Sequence, residues 1–227
     1  DAGDLAAQTQ VEPGLLPYAF FVGPVQATYD AAAPTHSLLT LDKYIRKTTS
    51  GGVRVESNTG EIELDTASGL LRVETPRFLG VTGFLDTVAS HDFETVSFLS
   101  NNPYGAIMAV SLDERPLAES QRILLQVATR SRPTGWKTRP ATVKAEDDVA
   151  DRMLTLEGEE IIETGSAPWQ IQEADLRVIL RWTGIQEAVV LDANGTPRGD
   201  VIALEPTPGQ NARSFRFPAD ALYVLLR

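Results

Sequence analysis

The feature that most limits the fold of this chain is the shortness of its apolar segments. From Tyr18 onward, runs of strand length alternate with turn-forming residues at intervals of roughly 8–12 residues, the spacing of sandwiches and barrels. No segment sustains a 3.6-residue apolar period beyond about two turns, which argues against a βαβ arrangement. Val53-Arg54-Val55-Glu56 alternates apolar and charged residues, and Ser57-Asn58-Thr59-Gly60 reads as a turn. In Glu61-Ile62-Glu63-Leu64-Asp65 the acids fall on one strand face and Ile62 with Leu64 on the other. Ala67-Ser68-Gly69 then reverses the chain, and Leu71-Arg72-Val73-Glu74-Thr75 returns it as a hairpin whose register is set by the alternation. Asp192-Ala193-Asn194-Gly195 predicts a further hairpin, because Asn-Gly readily takes positive φ at both central positions.

Other strands are predicted at 80–85, 95–100, 106–112, 123–129, 153–156, 160–164, 176–182, 188–192, 201–205, 214–217 and 221–226. Residues 21–29 read as a strand interrupted by Gly23-Pro24, and 38–44 as a strand or a helical turn. Residues 131–151 read as a polar, Pro-containing connection. Residues 1–17 read as a linker or lead-in segment. The expected architecture is all-β: an antiparallel β-sandwich, jelly-roll-like, forming one domain over 18–227, with room for a small appended C-terminal sheet.

Composition narrows the partners. The net charge of −11 disfavours nucleic acid and anionic membrane surfaces. No apolar run approaches the roughly 18 residues of a membrane-spanning helix. Cysteine is absent, which removes disulfides, thiol nucleophiles and thiolate metal sites. From Asp1 onward there is neither a basic start nor an apolar core, so an exported form would have lost its signal or belong to a longer precursor.

Candidate chemistry is sparse. Glycoside hydrolysis uses paired carboxylates about 5–10 Å apart, and Glu61, Glu63 and Asp65 at alternate strand positions are spaced by roughly 6–7 Å. The plainer reading of the same residues is a solvated strand face, and it applies equally to Glu159, Glu160 and Glu163. Asp86, Asp92, Asp113, Glu114, Asp147 and Asp148 fall in loops or at strand ends, where a structural Ca²⁺ would be held, but no Ca²⁺-loop motif is present. His36 and His91 read as surface loop residues, and no Gly-x-Ser-x-Gly elbow accompanies them. Thr75-Pro76-Arg77 reads as a strand end, with Pro stopping the ladder and Arg paired to an acid.

Sugars stack their apolar faces on exposed aromatic rings. Trp136 beside Gly135, Trp169 after Pro168 and Tyr104 after Asn101-Asn102-Pro103 all fall in predicted loops and are the carbohydrate-binding candidates. Each could instead plug a loop from beneath. Trp182 ends an apolar strand and is expected in the core.

Several runs in order carry a resemblance. They are Asn58 to Asp65, Gly69 to Arg77 and Gly80 to Leu85, then Ser111-Leu112-Asp113 with Pro116-Leu117, Arg122 to Val127 and Thr134 to Thr138, and finally Val190 to Gly195 with Leu222-Tyr223. Together they resemble the C-terminal accessory β-sandwich regions of bacterial glycoside hydrolases. The resemblance implies a non-catalytic module that binds polysaccharide or buttresses a catalytic domain, with no catalytic residue to carry over and an extracellular or periplasmic setting. It implies no cofactor beyond a structural Ca²⁺. The alternative is a stand-alone β-sandwich enzyme acting on glycans through a carboxylate pair such as Glu61 and Glu63.

Overall fold

The computed structural model describes residues 18–24, 41–49, 51–147, 152–182 and 184–227. The chain divides into two compact units, Tyr18–Thr129 with Glu173–Arg227 in one and Arg130–Gln172 in the other.

In the larger unit the chain forms β1 (Ile45–Lys47), β2 (Val53–Glu56), β3 (Ile62–Asp65), β4 (Leu70–Glu74), β5 (Phe78–Gly83), β6 (His91–Asp92), β7 (Val96–Ser100), β8 (Gly105–Ser111) and β9 (Ile123–Thr129). The smaller unit holds β10 (Ser131–Thr134), β11 (Lys137–Asp147), β12 (Arg152–Glu163) and β13 (Ser166–Ile171). The larger unit resumes with β14 (Leu176–Leu180), β15 (Ala188–Leu191), β16 (Pro197–Ile202), β17 (Glu205–Pro206), β18 (Arg213–Arg216) and β19 (Tyr223–Leu226).

A ten-stranded sheet runs β1-β2-β3-β4-β5-β8-β9-β19-β15-β16, and a five-stranded sheet runs β17-β18-β14-β7-β6. All the pairings are antiparallel, as the alternating pattern requires. The closing strands do not stand apart: β15, β16 and β19 complete the larger sheet, and β17 with β18 the smaller. The two sheets enclose one apolar core. Leu79, Val81, Ile107, Leu125 and Val224 come from the larger sheet, and Val96, Phe98, Val178 and Phe215 from the smaller. Trp182 joins this core as expected, 5% exposed.

The larger sheet outreaches the smaller one. No residue of β1, β2 or β3 enters the core cluster, and of the apolar side chains of β4 only Leu70 packs against it. Because strand faces carry through from register to register, the face that holds Leu79 and Val81 on β5 continues as Glu74 and Arg72 on β4 and Glu63 on β3. The sandwich core therefore gives way to a charged ledge. On the opposite face of the ledge, Ile62 and Leu64 are half-buried, while Val55 and Ile45 are fully buried. The β3–β4 hairpin and its turn fold as the alternation predicts, pairing Ile62 with Val73 and Leu64 with Leu71.

Three local expectations are corrected. Ala19–Val22 is a short helix, α1, so Phe21 and Val22 are helical where a strand was expected; a brief apolar run suits either state. The rest of that expected strand, 25–29, lies outside the described residues, as do 38–40. Residues 131–147 are the strands β10 and β11 rather than a connection, and 153–163 is one continuous strand. Strands of a ribbon that faces solvent on both sides need no apolar alternation, so their sequence reads as loop.

Candidate functional site

In the smaller unit, β10 pairs with β13 and β11 with β12. Pro133 stands opposite Trp169, and Ser131 opposite Ile171. Alternation puts Pro133, Trp169 and Ile171 on one face of the ribbon. Trp169 is 65% exposed and Ile171 53%, so this face presents an open indole extended by an aliphatic and a proline ring. Trp169 therefore lies on a strand rather than in the loop expected. The Thr134 hydroxyl donates to the Pro168 carbonyl at 2.7 Å and ties the neighbouring turn to β13.

Arg132 projects from the opposite face of β10, across from Gln170, and its guanidinium lies 5.1 Å from the ring centroid of Trp136. Trp136 is half-buried after the Gly135 turn, its indole engaged by this cation. Tyr104 belongs to the larger unit. It is 45% exposed and meets Phe84 edge-to-face, with ring centroids 5.4 Å apart. Within the smaller unit, the Trp136 ring thus joins Arg132, on the side away from the Trp169 face. Phe84, itself exposed, was missed; it follows strand β5 directly and gives no signal beyond an aromatic after Gly83.

Past β12 the ribbon stays open to solvent. Lys137 pairs with Glu163 at 3.0 Å and Arg139 with Glu160 at 2.7 Å, while Glu159 stands opposite Pro140. These exposed pairs hold register more than they add stability.

A separate concavity lies in the larger unit at the inner end of the charged ledge. It encloses about 360 Å³ and is lined by Glu61, Glu74 and Glu94, with Leu79, Pro116 and Leu117 among its apolar walls. Arg72 donates to Glu74 Oε2 at 2.7 Å, and the Glu94 amide donates to Glu74 Oε1 at 3.1 Å. Glu63, the expected companion of Glu61, is instead taken by Arg54 at 2.6 Å. The acids that line the concavity with Glu61 are Glu74 and Glu94. The hairpin register sets Glu74 opposite Glu61, but sequence spacing conceals Glu94, which arrives from the loop before β7.

Among the described residues, no group of three or more His, Asp or Glu is arranged to hold a metal ion. Asp148 lies outside those residues, and so does His36. Asp113 is engaged by its own loop, accepting from the Gln121 amide at 2.9 Å and the Ser120 hydroxyl at 2.8 Å. These donors hold its carboxyl well below the usual carboxylate range. Asp92 accepts from the Ser90 hydroxyl at 2.9 Å. His91 is corrected from surface to interior: it is 5% exposed on β6, with Nε2 2.9 Å from the Leu85 carbonyl. Burial lowers its pKa, partly opposed by that carbonyl. Arg77 reaches the Glu114 carbonyl at 3.5 Å, at the strand end expected for it.

No family model, curated protein or solved structure matches this chain.

Proposed function

We propose that this chain is a non-catalytic accessory module of a polysaccharide-degrading glycoside hydrolase, and that it binds glycan on the Trp169 face of the β10–β13 ribbon. The observation that carries the reading is the open indole of Trp169 in line with Pro133 and Ile171. A flat apolar strip of this kind complements the C–H face of a pyranose, and the exposed Ser131 at its edge offers a hydroxyl to the sugar. The partners in this reading are a polysaccharide and the catalytic domain of the parent enzyme, in an extracellular or periplasmic setting, with Ca²⁺ as the one ion to be tried. Affinity electrophoresis over a panel of soluble polysaccharides, with and without Ca²⁺, tests it. Retardation that weakens roughly tenfold in Trp169→Ala and persists in Trp136→Ala supports the assignment. Unretarded migration on every glycan would remove it.

A second reading rests on the cleft. Glu61, Glu74 and Glu94 share one concavity with an apolar floor, the residue types that hydrolyse glycosidic bonds. In this reading the chain is itself an enzyme. Release of reducing ends from a glycan, abolished by both Glu61→Gln and Glu94→Gln, would establish it. Turnover that survives both substitutions would exclude the cleft.

A further inference from the structure

Antiparallel sheets with a free face are ordinarily polar on that face. The ten-stranded sheet is not. Its face away from the core carries a continuous row of Val73, Gly80, Met108, Gln126, Tyr223 and Leu191, in register across β4, β5, β8, β9, β19 and β15. The adjoining row is Phe78, Val110, Leu124, Leu225 and Val189. Neither row contains a charged side chain, in a protein of net charge −11. None of these residues belongs to the core between the two sheets. Gly80, Val189 and Leu191 are buried within the chain itself, and the other residues of the two rows are half-buried. The Phe78 ring and the Met108 side chain fold over Gly80, where an added Cβ would stand 3.3 and 3.2 Å from them.

We infer that this face is a homodimer interface, covered by the same face of a second copy related by a two-fold axis. Two features select a second copy. The first is area. With strands about 4.8 Å apart and a rise of about 3.4 Å per residue, the two rows and their margins from β4 to β19 cover on the order of 500 Å² per copy. The pair would bury about 1,000 Å², the level at which specific interfaces begin, and such uncharged surfaces are typical of homodimers. The second is Gln126. It stands beside Tyr223 in the row and is its one amide, on β9, the middle strand of β5-β8-β9-β19-β15. A primary amide both donates and accepts, so two copies of Gln126 meeting across a two-fold satisfy each other. An uncharged face with a self-complementary amide at its centre matches itself.

Sedimentation velocity of the full chain over micromolar concentrations tests the inference. The expected species has twice the 24.7 kDa mass of the chain. Gln126→Glu sets like charges against each other across the axis and should weaken the dimer at least about 100-fold at neutral pH, whereas Gln126→Leu should leave it associated. A wild-type chain that sediments as a 24.7 kDa monomer at every concentration overturns the inference. A dimer indifferent to both Gln126→Glu and Leu124→Arg overturns it as well. The wild-type mass decides the matter even if a variant fails to fold.

Discussion

Arg72 lays its guanidinium 3.8 Å from the centroid of the Phe93 ring while donating to Glu74 at 2.7 Å. One side chain thus joins the charged ledge of β4 to an aromatic ring of the core. Lysine supplies neither the planar stack nor the fork. Arg72→Lys and Arg72→Ala should each lower unfolding free energy by about 1–2 kcal/mol, read as a shift of the urea midpoint at constant slope. A change below a few tenths would mean that the stack contributes little.

Gly83 closes β5 at a φ of +128°, and a Cβ there would run into the Gly69 carbonyl oxygen. Both the backbone conformation and the contact exclude a side chain. Gly83→Ala should cost about 2–3 kcal/mol. Thermal unfolding followed by circular dichroism measures it, and an unchanged midpoint would show that the β4–β5 end can shift.

His91 should make stability depend on mildly acidic pH. Burial lowers its pKa from the ordinary 6.5, so the unfolded chain takes up the proton before the folded one does. Its contribution is complete above pH 6.5 and declines as pH falls through that value toward the depressed folded pKa. Asp92, Asp113, Asp192 and Asp220, whose pKa values lie below the ordinary 3.8, act only at more acidic pH. Urea midpoints at pH 7.5 and 5.0 should differ in the wild type and converge in His91→Gln, which keeps a donor for the Leu85 carbonyl.

Asp113 fastens the loop between β8 and β9 through the Gln121 amide and the hydroxyls of Ser120 and Ser111. Asp113→Ala should speed hydrogen exchange at the Gln121 amide at least tenfold while leaving Val178, in the centre of the core, unchanged. Equal acceleration at both positions would mean that the loop and the core open together.

Where the sequence was legible, one physical signal dominated. Glu61 to Thr75 alternates cleanly because the two faces of the ledge meet different surroundings, so both its strands and its turn could be placed. The Asn194-Gly195 turn was legible because Gly195 takes a φ of +81° while Asp192 accepts from the amides of Asn194 and Thr196. The β11–β12 ribbon was opaque for the converse reason: solvent on both sides imposes no pattern. Trp169 was legible as exposed but not as a strand residue. The cleft was legible only in part: the hairpin register sets Glu74 opposite Glu61, whereas Glu94 joins them from the loop before β7 and gives no signal in sequence. His91 was misjudged because a buried histidine needs a single carbonyl partner, and Leu85 announces nothing in sequence.

The position of β19 between β9 and β15 bears on how quickly the molecule can assemble. Ile123 must find Leu226, and Gln126 must find Tyr223, across an intervening stretch that includes the whole smaller unit. Sheets stitched from such distant segments pay loop-closure entropy before any contact rewards it, and domains of this kind fold in milliseconds to seconds rather than microseconds. Until β19 arrives, β9 offers an unpaired, apolar edge to any neighbouring strand. Refolding yield should therefore fall steeply with protein concentration, with aggregation competing for that edge during the wait.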